Sequence, residues 1–144
     1  MAIWFNSEVK GFEIKNKRKL KAWINRIISH YNRTPGNINI IFVDDSTLLK
    51  INSNFLHHHT YTDIISFDYS NATTISGDIF ISIERVMENS LYYVETFNEE
   101  LKRVIIHGIL HFLGFSDSTE NEKMNMRIIE NNALSTVKDL LITA

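Results

Sequence analysis

An α+β fold, a small mixed β-sheet of about four strands covered by about five helices, follows from three features of the sequence. Runs of β-branched and aromatic residues near 3–6, 37–43, 63–69 and 75–83 have the length and alternation of strands. The remaining segments carry the 3.6-residue period of amphipathic helices. The elements come in the order βα, βα, ββ and then three helices, which suits a sheet with helices laid over it. With 144 residues, 44% of them hydrophobic and 22% charged, the chain has the size and apolar content of one globular domain spanning 1–144.

Residues Ile3 to Asn6 read as a short first strand. From Lys17 to Tyr31, Leu20, Trp23, Ile24, Ile27 and Ile28 share one helical face, while Lys17, Lys19, Lys21 and Arg26 fall mostly outside it. Asn16 is placed to cap that helix. Thr34-Pro35-Gly36-Asn37 holds the only proline and reads as a turn. Asn37 to Val43 alternates and then turns apolar, as a strand does. Asp44-Asp45-Ser46 opens a helix that runs to about Asn54. Phe55 to Tyr61, which includes His57, His58 and His59, has no period and reads as a loop.

Asp63 to Tyr69 and Ile75 to Ile83, joined by a polar turn, pair as an antiparallel hairpin. Glu84 to about Glu95 is helical, and Asn98 to Leu113 is a helix apolar on nearly every side. Gly114 stands where a helix ends, because glycine accepts positive φ without steric cost. Thr119 and Glu122 form a capping box for a last helix. That helix is expected to reach about Leu141, with Met124, Ile128, Ile129, Ala133, Leu134 and Val137 turned to the core.

Composition excludes several classes. No apolar run approaches the ~20 residues of a membrane span, and the first residues lack the charged and apolar regions of a signal peptide. Cysteine is absent, which excludes disulfides and thiolate metal sites and fits a reducing cytoplasm. The net charge of −2 is unevenly spread: residues 1–34 carry eight Lys/Arg against two Glu, and residues 35–144 carry seven against fifteen acids. The basic end suits a phosphate-binding face or a solvated helix surface. The overall charge argues against strong sequence-independent binding of nucleic acid.

The chemistry concentrates in Ile105-Ile106-His107-Gly108-Ile109-Leu110-His111-Phe112-Leu113-Gly114-Phe115-Ser116-Asp117. His107 and His111 lie one helical turn apart, so both imidazoles leave the same face. Two histidines inside an apolar helix are costly unless their nitrogens find partners, and a shared metal ion is such a partner. Gly108 would let a backbone or a substrate approach the helix closely. Asp117, just past the turn at Gly114, would complete a His2Asp set and leave a position for water; its other role would be to cap the next helix. Where H-E-x-x-H proteases carry their glutamate base this chain has Gly108, so a protease ranks last.

The stretch His107-Gly108-Ile109-Leu110-His111-Phe112-Leu113-Gly114-Phe115 resembles the H-G-x-L-H-L-x-G-Y/F signature of the bacterial YbeY proteins, metal-dependent endoribonucleases linked to ribosomal RNA maturation. Thr62-Asp63-Ile64-Ile65-Ser66-Phe67 and Gly77-Asp78-Ile79-Phe80-Ile81-Ser82 resemble two further strands of that family, and Glu100-Leu101, Met126-Arg127 and Glu130 also fit. The resemblance implies a metal-dependent hydrolase-like domain. It implies one divalent metal, zinc by type, at His107 and His111, and a metal-activated water as nucleophile. Single-stranded RNA would be the substrate, in 3′-end maturation of 16S rRNA, with the ribosome or its small subunit as partner, in the cytoplasm, and with neither DNA nor a membrane involved.

Two positions depart from the family pattern. Asp117 stands where the family usually has its third histidine ligand; a carboxylate is a harder ligand and adds negative charge. Leu56 stands about where the family often has an arginine facing the site, and leucine does not replace a guanidinium on phosphate. His57, His58 and His59 are candidates for a phosphate-facing role or a solvated loop. Asp63, Ser66 and Asp78 either line the groove facing the metal or end strands, and Arg127 can pair with Glu130 along its helix. The alternative to an endoribonuclease is a non-catalytic, metal-stabilised module that docks on the ribosome, for which a closed ligand set would be the mark.

Overall fold

In the computed structural model, which describes residues 2–57 and 61–144, four strands form one mixed sheet. They are β1 (Ile3–Ser7), β2 (Thr34–Val43), β3 (Ile64–Asp68) and β4 (Thr74–Ser82), in the spatial order β1-β2-β4-β3. β1 runs parallel to β2 and β2 parallel to β4, with Ile3 opposite Ile38 and Ile40 opposite Ile79. β3 closes the edge antiparallel to β4, with Ile64 opposite Ile81. Five helices cover the sheet: α1 (Lys17–His30), α2 (Asp45–Leu56), α3 (Ile83–Tyr92), α4 (Phe97–Phe112) and α5 (Glu120–Ser135). This is the α+β arrangement the sequence pattern implies.

Side chains alternate along each strand, so the sheet has two apolar faces. Ile38, Ile40, Phe42, Ile75, Ile79 and Ile81 turn to one face and pack with Leu20, Trp23, Ile24 and Ile28 of α1 and with Leu101, Ile105 and Ile109 of α4. Val43 and Ile65 turn to the other face, where Leu48 of α2 packs with them and Ile41, Phe67 and Phe80 complete a smaller cluster. The helix that carries the histidines therefore lies against the larger core. Gly108 makes this approach possible: a Cβ there would stand 3.0 Å from Ile64 Cδ1 and 3.0 Å from Ile79 Cδ1. The close neighbours of Gly108 are thus sheet side chains.

Several local expectations are corrected. Thr34 to Asn37 is not a turn but the start of β2, with a register break between Pro35 and Ile38 that accommodates the proline. The chain reverses earlier, at Asn32, whose φ is +59°. Asn16 precedes α1 in a left-handed conformation and gives it no side-chain cap; its amide donates instead to the Leu141 carbonyl. α2 continues to Leu56 and ends at His57, with φ +57°, so the expected loop is part helix; His58 and His59 lie outside the described residues.

α5 stops at Ser135, not near Leu141. The chain leaves the helical path because Leu140 and Ile142 are buried in the larger core, where Asn98 Nδ2 donates to the Leu140 carbonyl at 3.0 Å and Asn98 Oδ1 accepts from the Ile142 amide at 2.7 Å. Within α5 the buried stripe is Met126, Glu130 and Leu134. Met124 and Ile128, two residues off that stripe, are exposed and not core. The capping box of Thr119 and Glu122 is formed in both directions.

Candidate metal centre

α4 begins at the N-cap Thr96, whose hydroxyl accepts from the Glu99 amide at 3.1 Å. One stripe of this helix carries Glu100, Arg103, Val104, His107 and His111, all at spacings of three or four. The helix closes at Leu113. Gly114 then turns with φ +99°, and its amide donates to the His111 carbonyl at 3.0 Å. This reversal brings Asp117 back over the histidines.

His107, His111 and Asp117 form a group that could hold a metal ion. His107 Nε2 and His111 Nε2 are 2.9 Å apart, and Asp117 Oδ2 lies 3.3 Å from the first and 3.5 Å from the second. Donors about 2.0–2.1 Å from a tetrahedral ion stand about 3.3 Å from one another, so the three atoms have the spacing of one face of such a site. Nitrogen and carboxylate donors suit zinc and other divalent transition ions. Among the described residues the group has three members, the number that leaves an ion an open position.

Glu130 pairs with Arg127 along α5, as their spacing of three allows, at a long 3.8 Å. Its main partners come from α4: Arg103 Nη1 at 3.1 Å and His107 Nδ1 at 2.6 Å. Glu130 is buried, and with Nδ1–H donating to its carboxylate the His107 ring presents the Nε2 lone pair to His111 and Asp117. A sequence cue was present: Glu130 occupies the core register between Met126 and Leu134, where a carboxylate needs a buried partner. Burial lowers the His107 pKa, but the hydrogen bond and charge of Glu130, with Asp117 and Asp63, outweigh it and leave the ring above its ordinary value.

Beside the histidines a cavity of about 620 Å³ opens between α4, α5 and the end of α3. Asp63, Glu100, His107, Asp117, Arg127 and Glu130 are among its walls. Asp63 therefore faces the site, and burial pushes its carboxyl above the usual range. Ser66 and Asp78 are not part of this lining. Asp78 instead accepts from Asn39 Nδ2 of the neighbouring strand at 3.0 Å. Leu56 ends α2 and is 40% exposed.

The family model described as endoribonuclease YbeY matches residues 5–138. A Flavobacterium psychrophilum protein named endoribonuclease YbeY is 47% identical over 132 residues, covering 92% of this chain and 94% of its own. A Bacteroides fragilis protein of the same name is 42% identical over 139 residues, covering 96% and 99%. The solution structure of a Thermotoga maritima protein shares the fold, with a TM-score of 0.63 at 23% identity over 95% of this chain and 92% of that one. A match along almost the whole chain, with the paired histidines standing inside it, means that this protein belongs to the YbeY family.

Proposed function

We propose that this chain, an endoribonuclease by family, cuts single-stranded RNA at the centre formed by His107, His111 and Asp117, and that these three hold one divalent ion, zinc. The observation that carries this reading is the convergence of three ligand atoms, one of them oriented from behind by Glu130, at the edge of an open cavity. Three protein donors and an adjoining cavity favour a catalytic site over a closed structural one, and so favour the enzyme over a non-catalytic docking module. An ion bound there supplies Lewis-acid polarisation of a phosphate oxygen and a lowered pKa for water.

The protein's own groups do the rest. Glu130 keeps His107 in one tautomer. Lys123 and Arg127, both half-exposed at the cavity wall, are placed to meet backbone phosphates. The substrate we assign is the 3′ end of 16S rRNA on the small ribosomal subunit, and the compartment the cytoplasm. The absence of cysteine agrees with a reducing compartment, and among the described residues no helix is long and apolar enough to cross a membrane.

The test compares purified wild type with His107→Ala/His111→Ala on single-stranded RNA, alongside elemental analysis. Wild type should contain about one ion per chain and cut, and the double variant should do neither. Equal cleavage by both would assign the activity to a contaminant. Unchanged metal content in Asp117→Ala would remove Asp117 from the ligand set.

A further inference from the structure

The deep side of the cavity holds a group that the metal centre does not use. Glu100 is 5% exposed, lines the cavity, and its Oε1 is buried with no hydrogen-bond partner among the described residues. Asp63 lines the same cavity, where Asn89 Nδ2 approaches one of its oxygens at 3.4 Å, a long bond. A buried carboxyl oxygen without a donor costs free energy, and a ligand N–H that reaches it returns that cost. The outer part of the cavity differs in character. Tyr93 and Met124, 53% and 64% exposed, are the large apolar side chains at its exposed wall, and Arg127 lies over the Tyr93 ring at 5.9 Å. Beside them Lys123 and Arg127 supply positive charge.

An aromatic side chain, cations beside it and two carboxyl groups, one of them with an oxygen that has no donor, are the parts of a pocket for a single nucleotide. The volume, about 620 Å³, falls in the range of small-ligand sites, roughly 300–1,000 Å³. We infer that this cavity is a guanine subsite: a base next to the scissile phosphate stacks against Tyr93 and Met124 and turns its Watson–Crick edge to Glu100 and Asp63. Guanine is the base whose Watson–Crick edge carries two adjacent donors, N1–H and the 2-amino group, to match two acceptors. Uracil offers one N–H flanked by two carbonyl oxygens, which carboxylates repel. The subsite takes its strand context from the endoribonuclease reading and rests on it for that.

Short single-stranded RNAs test this, with uridine at every position except a central guanosine, inosine or uridine. The metal-loaded wild type is expected to cut beside guanosine with kcat/KM about tenfold or more above uridine. Inosine, which lacks the 2-amino group, should fall between. Glu100→Gln is nearly isosteric and brings an N–H of its own; it should bring guanosine and uridine within about threefold of each other, with circular dichroism checking that it folds.

Titration with guanosine, inosine and uridine 5′-monophosphates, followed by amide NMR shifts, reads the pocket without any cleavage. Equal binding of the guanosine and uridine nucleotides, or binding of neither, overturns the subsite even if RNA is cut. A preference that persists in Glu100→Gln overturns the assignment of Glu100. A guanine preference in a protein that cuts no RNA overturns the endoribonuclease reading and leaves the subsite standing.

Discussion

The Nδ1–H of His107 donates to Glu130 Oε2 at 2.6 Å, and that contact selects which ring nitrogen faces His111 and Asp117. Glu130→Gln keeps the shape but lets the amide present a donor to a donor. Its expected effect is a loss of metal affinity of about 10–100-fold, measured by competition with a chelating dye. Unchanged affinity would show that the ring is oriented by packing alone. Glu100 behaves differently. Burial pushes its carboxyl above the usual range; Arg103 and Arg127 oppose that, and Asp63 and Glu130 add to it. The unfolded chain therefore releases this proton at a lower pH than the folded protein does. Stability falls as pH rises from the ordinary glutamate range to the raised folded value. Glu100→Gln should abolish that fall and be at least as stable as wild type at neutral pH, by urea midpoints taken across the pH series. A variant less stable than wild type at neutral pH would mean that the ionised carboxylate is net favourable.

α4 joins the core and the site, and substitutions along it separate the two. Gly108 lies between Ile64 and Ile79, so Gly108→Val drives two methyl groups into filled space. A loss of about 1–3 kcal/mol is expected in denaturant unfolding, with the histidines displaced along with the helix. Asn98, near the start of the same helix, holds the C-terminal tail through Leu140 and Ile142. Asn98→Ala leaves a buried amide and a buried carbonyl unpaired, which costs about 1–3 kcal/mol. Because Asn98 is more than two turns from His107, metal affinity in that variant should stay at the wild-type value. A large fall in affinity would mean that the tail positions the site.

The larger core joins buried apolar side chains of β1, β2 and β4 with those of α1, α3, α4 and α5, and Ile64 of β3 packs against it, whereas metal-dependent mini-domains lack a core of this extent and unfold when the ion leaves. Chelation should therefore lower Tm by mass action and leave a single cooperative transition and unchanged circular dichroism. Unfolding on chelation would instead support the metal-stabilised module.

At the same scale, the pieces that were legible from the chain were those with a local cause. Helix and strand periods come from backbone geometry, so the order of elements, the one-turn spacing of His107 and His111, the turn at Gly114 and the capping box at Thr119 are all written in neighbouring residues. The departures from local expectation are local too: Pro35 sits in a bulged strand start and not in a turn, and α5 ends at Ser135 because the core claims Leu140 and Ile142. The partners of Glu130, the bare oxygen of Glu100 and the nearness of Asp63 to both had no such mark. They come from α5, α4 and the entry to β3, and sequence period does not encode which distant side chains meet when helices pack on a sheet. The histidine pair is thus a property of one helix, and the cavity beside it a property of how three helices and a strand edge close together.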